Sequence, residues 1–224
     1  VFYCRFGRRG GINPSYTHEV LDAMPVQLLS FDGQQWAERG VVIEGEALAY
    51  GDIPTDLRPP LFDDAVPGSV TEIHPQAEAF IRTLAAALQR GAIFLIDYGF
   101  PEAEYYHPQR HGGTLMCHHL HRADANPLVL LGEKDITAHV NFTGIALAGQ
   151  DAGLTVLGYT SQARFLLNCG LATLLEAASL GERVMAHKLI AEHEMGELFK
   201  VIGFATGEGF DARGFSAGDR LHTL

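Results

Sequence analysis

The stretch Gly91–Gly99, with the sequence GAIFLIDYG, decides the fold prediction for this chain. Its four consecutive apolar residues, Ile93 to Ile96, run directly into a polar corner. A short apolar run bounded by glycine is typical of a central strand buried on both faces of a parallel sheet. Ligands of open α/β sheets bind beyond the carboxyl ends of such strands, so Asp97 and Tyr98 are candidate site residues.

The residues before this strand predict a helix. Pro75 fits the first helical turn, Ala77–Gln89 contains no helix breaker, and Gly91 can end the helix. A helix, a buried strand and a polar corner together indicate an α/β fold. The 224 residues suffice for one large domain, or for one domain with an insertion.

Charge and cysteine content narrow the classes of function. The chain has 27 acidic against 16 basic residues, a net charge of −11, which argues against nonspecific nucleic-acid binding but is compatible with a basic protein partner. Cys4, Cys117 and Cys169 lie far apart and form no CxxC motif, so we expect reduced thiols in a reducing compartment. No apolar run approaches the roughly 20 residues that span a bilayer, so no membrane insertion is predicted. The bacterial cytoplasm is the expected location, with the mitochondrial matrix as the second choice.

Residues 26–75 predict a second group of elements. Val26–Phe31 and Gln35–Ile43 are strand-like and flank Asp32-Gly33, which is a strong hairpin signal. The acidic, proline-rich stretch Glu44–Pro67 indicates a long surface loop or an edge-strand insertion. Ser69–Pro75 is interpreted as the approach to the helix.

Histidines are concentrated in Pro101–Arg122, and this raises the question of a metal site. They are His107, His111, His118, His119 and His121. His119 and His121 would share one face of a strand, but zinc sites also need ordered ligand spacing and supporting carboxylates or thiolates. We therefore predict no metal and interpret the region as a polar channel lining or a loop. A metal-dependent hydrolase is the least favoured of three functional hypotheses.

The last third of the chain alternates helices and strands. The predicted helices are Thr143–Ala152, Thr160–Cys169, Leu171–Ala178 and Glu182–His193, and the predicted strands are Leu154–Tyr159 and Phe199–Ala205. The glycine-rich residues 207–224 are predicted to form a flexible tail.

Several motifs occur in a family-specific order. They are HEVLDAMPV, TEIHP, GAIFLIDYGF with the following PEAEYYHPQRHGGTLMCHHLHR, DITAHVNF, GYTSQARFLLNCG and MGELFKVIGF. Together they resemble the MidA family of S-adenosylmethionine-dependent methyltransferases over roughly residues 18–206. That family includes the mitochondrial assembly factor that methylates an arginine on a respiratory complex I subunit.

The resemblance implies a seven-stranded, Rossmann-like methyltransferase fold. His18–Val26 corresponds to the segment after the fourth strand, and Gly91–Gly99 to the fifth strand. Leu154–Tyr159 and Phe199–Ala205 correspond to the closing pair. The glycine-rich cofactor loop of the family has no counterpart, and INPSYT stands where an apolar strand is expected. We therefore expect residues 1–17 to be foreign to the fold, residues 18–206 to be the carboxyl-terminal part of a methyltransferase domain, and the cofactor-binding residues to be unknown.

The resemblance also implies a chemistry, which is methyl transfer from S-adenosylmethionine to an arginine of a protein substrate. Carboxylates are needed to orient a guanidinium and to take up its charge. The candidate catalytic residues are Glu19, Asp22, Asp97, Tyr98 and His139, with Asp135 near His139. Alternative interpretations are helix amino-terminal acids for Glu19 and Asp22, a capping or turn carboxylate for Asp97 and a structural histidine for His139.

Two other expectations concern partners. The alternative function is a binding module or assembly factor that grips a protein partner without turnover. An incomplete sheet would expose an apolar edge and face, which favours a homodimer.

Overall fold

The computed structural model describes residues 13–224 of the chain. Its strands are β1 (Asn13–His18), β2 (Gln27–Phe31), β3 (Trp36–Glu44), β4 (Ala47–Pro54), β5 (Val70–Ile73), β6 (Gly91–Phe100), β7 (Met116–His119), β8 (Arg122–Asp124), β9 (Asp135–Thr137), β10 (Val140–Asn141), β11 (Leu154–Ser161) and β12 (Phe199–Thr206). Its α-helices are α1 (Pro75–Ala87), α2 (Glu102–Tyr105), α3 (Phe142–Asp151), α4 (Gln162–Asn168), α5 (Leu171–Glu176) and α6 (Leu180–Ile190). Short helical turns of other types occur at Pro108–Arg110, Glu192–Gly196, Arg213–Phe215 and Leu221–Thr223.

The chain divides into two compact units. The first comprises the described residues up to Val20, then Glu78–Gly99 and Phe142–Leu224. The second comprises Leu21–Ala77 and Phe100–Asn141. Because each unit has its own sheet, each is described by itself.

The first unit contains a mixed sheet in which β6 is an inner strand. The strand order is β1-β6-β12-β11, with β1 parallel to β6 and the other two pairings antiparallel. The prediction of a buried inner strand at Gly91–Gly99 is confirmed, because Ala92, Ile93 and Leu95 are almost fully buried. The prediction of a parallel sheet around β6 is wrong, because in this order β6 is parallel to β1 and antiparallel to β12.

The predicted helices are present with shifted ends. Pro75 starts α1 as expected, and the Ser161 side chain caps α4 by accepting a hydrogen bond from the Arg164 backbone N–H. Helix α6 starts at Leu180 rather than at Glu182. The reason is a capping box, in which the Ser179 and Glu182 side chains each accept from the backbone N–H of the other.

Strand β1 corrects the predicted start of the fold. Asn13 to His18 pair in parallel with Gly91 to Ile96, so residues 13–17 are part of the sheet. Residues 1–12 lie outside the described residues. The polar sequence NPSYTH was misleading because strand pairing is made by backbone groups, which every residue except proline supplies in full.

The predicted flexible tail, residues 207–224, is also wrong. The ring of Phe215 packs against that of Phe165 at a centroid distance of 5.3 Å, and Asp219 Oδ1 accepts a 3.0 Å hydrogen bond from the Tyr159 backbone N–H. Phe215 itself is buried. Glycine content suggested flexibility, whereas the buried ring of Phe215 and the carboxylate of Asp219 attach the segment to the rest of the first unit.

The second unit is built on an antiparallel sheet with the order β4-β3-β2-β5. The predicted hairpin is confirmed: β2 and β3 are joined by residues 32–35, where Asp32 Oδ1 accepts from the backbone N–H groups of Gln34 and Gln35. These hydrogen bonds hold the pKa of Asp32 below its usual value. Ala47–Pro54 forms β4 at the edge of this order, in line with the edge-strand option for Glu44–Pro67.

Residues 70–73 are a strand and not the approach to a helix. Val70 to Ile73 pair antiparallel with Gln27 to Ser30. The sequence VTEI contains β-branched residues, which favour the extended conformation once a partner strand is available. This strand brings the side chain of Glu72 into the interior.

The histidine-rich segment forms a small sheet with the order β8-β7-β9. His119 ends β7, whereas Leu120 and His121 have φ values of 47° and 63° and form the turn to β8. The prediction that His119 and His121 share one face of a strand is therefore wrong. Within residues 13–224, no group of three or more His, Cys, Asp and Glu side chains is arranged to hold a metal ion. None of the described helices is long and apolar enough to cross a membrane.

Candidate functional site

In the first unit Asp97, which lies within β6, binds the backbone just beyond the end of β1. Its Oδ2 accepts a 3.1 Å hydrogen bond from the Val20 backbone N–H, and its Oδ1 accepts a 2.9 Å bond from the Tyr98 backbone N–H. The Glu19 backbone N–H donates to the Ile96 carbonyl at 3.0 Å. Asp97 is 1% exposed. The predicted polar corner at Asp97 and Tyr98 is wrong, because β6 continues to Phe100 and both residues lie within it. Asp97 is therefore not a turn carboxylate, and its two bonds to backbone N–H groups support the capping alternative. The Glu19 bond places that residue beside Ile96 of β6.

Glu19 has a strained backbone and an exposed side chain. Its φ of 51° lies in the left-handed region, which is unfavourable for a residue with a Cβ. Such strain persists where surrounding contacts impose it, and it is often found at functional sites. Here the flanking bonds to Ile96 and Asp97 impose it. No helix begins at Glu19 or Asp22, so the interpretation of both as helix amino-terminal acids is wrong.

The neighbouring strand β12 brings Lys200 beside Asp97, and Lys200 is in turn linked to Glu197. Lys200 pairs directly with Asp97 in the strand register, and its Nζ donates to the carbonyl of Glu197. Arg220 forms a double hydrogen bond with the Glu197 carboxylate, one of them 3.1 Å long. Burial alone would raise the pKa of Glu197, but the bond from Arg220 and the charge of Lys200 lower it, so Glu197 stays ionised.

Asp22 and His139 are neighbours in the second unit. The Asp22 carbonyl accepts a 2.9 Å hydrogen bond from the Ala138 backbone N–H, and Asp22 is buried. The His139 ring stacks on Phe100 at 5.1 Å, with the ring planes 4° apart. The predicted residues thus form two groups: Glu19, Asp97 and Tyr98 belong to the first unit, and Asp22 and His139 to the second.

Sequence analysis missed Glu72, the most heavily hydrogen-bonded carboxylate of the second unit. Glu72 is 1% exposed. It accepts from the Tyr105 hydroxyl at 2.9 Å and from the backbone N–H groups of Thr114 and Leu115 at 2.8 and 2.9 Å. Thr114 in turn accepts from the His139 backbone N–H at 3.0 Å. Glu72 is therefore a positioning residue for the segment that carries His139.

A signal for this cluster was present in the sequence. A Cβ on Gly113, whose φ is +74°, would lie 2.4 Å from Glu72 Oε1. The adjacent glycines Gly112 and Gly113 permit a close backbone approach, but the sequence does not indicate which group approaches. Burial, followed by the adjacent Glu72 carboxylate, raises the pKa of Tyr105 well above 10, so Tyr105 remains a hydrogen-bond donor.

His74, next to this cluster, is neutral in the folded protein. Burial lowers its pKa from 6.5 to about 4, and its ring packs edge-on against Tyr105 at 5.2 Å. Since the unfolded chain binds this proton near pH 6.5, the stability conferred by neutral His74 is fully present above pH 6.5 and declines as the pH falls toward 4.

We expect the free energy of unfolding to lose about 2 kcal/mol through His74 between pH 7 and pH 5. Urea unfolding of the wild type and of His74→Phe at both pH values measures this loss, because the variant lacks the titrating group and retains an aromatic ring. The exposed His187→Gln variant is the control and should follow the wild type. Parallel pH profiles of wild type and His74→Phe would contradict the assignment.

Asp97→Asn is expected to destabilise the first unit by about 2 kcal/mol. The amide keeps one acceptor oxygen and turns an N–H₂ group toward one of the two backbone donors, which loses a charge-assisted hydrogen bond. Denaturant unfolding measures the cost. Asp151→Asn, at an exposed position in α3, should change stability by less than about 0.5 kcal/mol. Equal effects of the two substitutions would refute a role for Asp97 in holding the backbone beyond the end of β1.

The fold and these residues define a mixed α/β protein with carboxylates at strand ends. A protein-family model described as "Putative S-adenosyl-L-methionine-dependent methyltransferase" matches residues 12–160. The chain belongs to this family. The match begins before residue 18, which agrees with the participation of β1 in the sheet. No curated protein matches the chain.

Two solved structures from Burkholderia thailandensis are similar to the chain. One is a COG1565 superfamily member bound to S-adenosyl-homocysteine, with 48% identity and a TM-score of 0.90 over 96% of this chain and 58% of that one. The other is a native structure of a COG1565 superfamily protein, with 48% identity and a TM-score of 0.91 over 96% of this chain and 60% of that one. The chain thus spans less than two thirds of the length of these relatives. The overall fold is the mixed α/β fold of this superfamily.

Proposed function

We propose that the protein is an S-adenosylmethionine-dependent methyltransferase that acts on an arginine of a protein partner. The observation that carries the cofactor assignment is the 48% identity, over 96% of this chain, to a protein bound to S-adenosyl-homocysteine. S-adenosyl-homocysteine is the product that S-adenosylmethionine leaves after giving up its methyl group. The arginine acceptor and a complex I subunit as its source rest on the resemblance to the MidA family.

The chemistry of the acceptor supports a role for Glu19. The cofactor supplies an electrophilic methyl group, and the protein has to orient the attacking nitrogen and take up its charge. A planar guanidinium is oriented best by a carboxylate. Glu19 offers an exposed carboxylate just beyond β1 and beside Ile96 of β6, and Asp97 acts as a positioning residue for this segment. Asp22, Tyr98 and His139 remain candidates for orienting the acceptor.

The described residues do not form a complete cofactor cradle. Such a cradle needs a glycine-rich loop after a buried strand, which lets the backbone approach the ligand. Within residues 13–224, Gly207 and Gly209 follow the buried strand β12, but they lead into the short turn Arg213–Phe215 and not into an α-helix. The described residues therefore support an assignment on the acceptor side.

A second candidate function is a binding or assembly factor that grips a protein partner without turnover. Under either function the partner is a protein, with no nucleic acid and no membrane. The cytoplasm is the proposed location, and a homodimer is the proposed assembly.

Calorimetry separates the two functions. Residues 13–224 replace the matching portion of the Burkholderia protein, and the chimera is titrated with S-adenosyl-homocysteine. Micromolar or tighter binding, together with transfer of labelled methyl to arginine-containing proteins, is the expected result. Binding by the Burkholderia protein without any heat from a folded chimera would reject the methyltransferase assignment. Cofactor binding without methylation of any protein would favour the assembly factor.

A further inference from the structure

The second unit contains a cavity of about 450 Å³ lined by none of the candidate catalytic residues. Its walls come from Trp36 in β3, the loop Pro59–Ala65, the start of β5 at Ser69–Thr71, and the segment from Ala103 to His111. This volume falls within the range of about 300–1,000 Å³ that is usual for ligand sites. The cavity can therefore accept several side chains.

The free charge at this cavity is negative. Asp63 and Asp64 are exposed, and neither forms an ion pair or a side-chain hydrogen bond within the described part of the chain. The arginine that lines the cavity, Arg110, already contacts other groups of the protein. Its guanidinium carbon lies 3.8 Å from the ring centre of Phe100, and its Nε donates to the Glu104 carbonyl at 2.9 Å. The carboxylates of Asp63 and Asp64 therefore favour a cationic ligand.

Two histidines, His107 and His111, also line the cavity and hold its walls through local hydrogen bonds. His107 accepts a 3.3 Å hydrogen bond from the Gln109 backbone N–H at Nδ1, which requires that nitrogen to be unprotonated. The backbone carbonyl of His111 accepts from the Val70 N–H at 2.8 Å and joins two of the walls.

The walls are aromatic and already held in place. Trp36 packs on Phe31 at a centroid distance of 5.1 Å, and the Tyr106 hydroxyl donates to the Glu72 carbonyl at 3.0 Å. Aromatic walls attract the guanidinium or ammonium of a ligand and pack against its aliphatic stem. Because these side chains are fixed before binding, little ordering is required of the protein.

A buried donor in the wall also lacks an acceptor. Trp36 is 5% exposed, and its indole Nε1 has no hydrogen-bond partner in the described chain. Because this nitrogen is itself buried, Trp36 contributes its ring and not this donor to the cavity wall. The unneutralised carboxylates and the apolar wall are together satisfied by a basic polypeptide segment.

The geometry points to this cavity as a docking site for an extended segment of the substrate protein that carries an arginine or lysine between apolar residues. The identity of the occupant as the methylated protein rests on the proposed function. The basic side chain lies against Trp36 and Tyr106 and reaches Asp63 and Asp64. Leu61 and Phe62, both exposed at this loop, pack on its apolar neighbours.

The site carries its own reporter, because Trp36 is the only tryptophan of the chain. The full chain is titrated with the peptide acetyl-Pro-Leu-Arg-Leu-Pro-amide while Trp36 emission is recorded. We expect a saturable change in emission. Replacing arginine in the peptide with the neutral isostere citrulline should weaken binding about tenfold or more, and raising the salt concentration should weaken the arginine peptide selectively.

Paired variants with the same change of charge test the location. Asp63→Asn/Asp64→Asn should weaken binding of the arginine peptide about tenfold. Glu44→Gln/Glu46→Gln alters two exposed acids of the same unit that do not line the cavity, and it should stay within about twofold of the wild type. Thermal unfolding verifies that both double variants are folded.

Three outcomes would overturn the proposal. They are an unsaturable emission change, equal affinity for the arginine and citrulline peptides, and equal effects of the two double variants. The experiment contains no cofactor, so its failure leaves the calorimetric test of the methyltransferase assignment unaffected. Conversely, peptide docking without cofactor binding would retain the cavity as a partner site and reject the methyl transfer.

Discussion

Glu72→Ala is expected to lower the free energy of unfolding of the second unit by about 4 kcal/mol. The substitution removes a buried carboxylate and leaves the Tyr105 hydroxyl and the backbone N–H groups of Thr114 and Leu115 without their acceptor. Each buried donor left without an acceptor costs about 1–3 kcal/mol. Glu72→Gln keeps one acceptor oxygen and should cost roughly half as much.

Denaturant unfolding followed by circular dichroism measures this effect. Glu46→Ala removes an exposed carboxylate from a turn of the same unit, and it should change stability by less than about 0.5 kcal/mol. A cost for Glu72→Ala close to that of Glu46→Ala would show that the hydrogen bonds of Glu72 contribute little to the folded unit.

A pair of adjacent glycines tests the same cluster from the backbone side. Gly113→Ala places a Cβ 2.4 Å from Glu72 Oε1 at a φ of +74°, whereas nothing lies within 4 Å of a Cβ at Gly112. We expect Gly113→Ala to cost about 2 kcal/mol and Gly112→Ala to be nearly neutral. If the two variants are equally stable, the loop does not depend on its approach to Glu72.

Glu19→Gln is expected to reduce methyl transfer about a hundredfold, which corresponds to roughly 3 kcal/mol of the activation barrier. The amide has nearly the same size but cannot take up the charge of a guanidinium. The chimera with the Burkholderia protein is the enzyme to assay, with labelled S-adenosylmethionine and an arginine-containing acceptor. Affinity for S-adenosyl-homocysteine should remain unchanged, because the substitution acts on the acceptor side.

Glu19→Gly separates function from stability at the same position. Glycine adopts a φ of 51° without steric cost, so the variant should be as stable as the wild type or more stable by up to about 1 kcal/mol. It should nevertheless lose transfer as severely as Glu19→Gln. Full activity of both variants would remove Glu19 from the mechanism, and the strain would then be a consequence of the strand ending alone.

The fold was predicted best where the local sequence pattern indicates burial or a turn directly. Strand β6, helix α1 and the hairpin of β2 and β3 were all predicted, because apolar runs, helix-compatible runs and an Asp-Gly turn act locally. Strands β1 and β5 were missed. Their extended conformation depends on partners that are distant in sequence, namely β6 for β1 and β2 for β5.

The candidate site was predictable in its residue types and only partly in their roles. Glu19, Asp97 and Tyr98 were singled out because they were predicted to follow strand ends. The structure brings them together, although Asp97 and Tyr98 lie within β6. The role of Asp97 as an acceptor of backbone hydrogen bonds could not be predicted. Both of its oxygens bind backbone N–H groups, one of them 77 residues away, and no sequence pattern reveals such a contact.

By itself, the sequence determined the α/β class, the inner strand and the family, because these depend on local patterning and on motifs in a fixed order. Only the tertiary structure decided that Glu72 is a buried acceptor, that Phe215 attaches the last residues, and that Trp36 lines a cavity with free carboxylates. The physical reason is that a buried polar group is stabilised by the particular donors around it. Those donors come from segments that folding, and not sequence order, brings together.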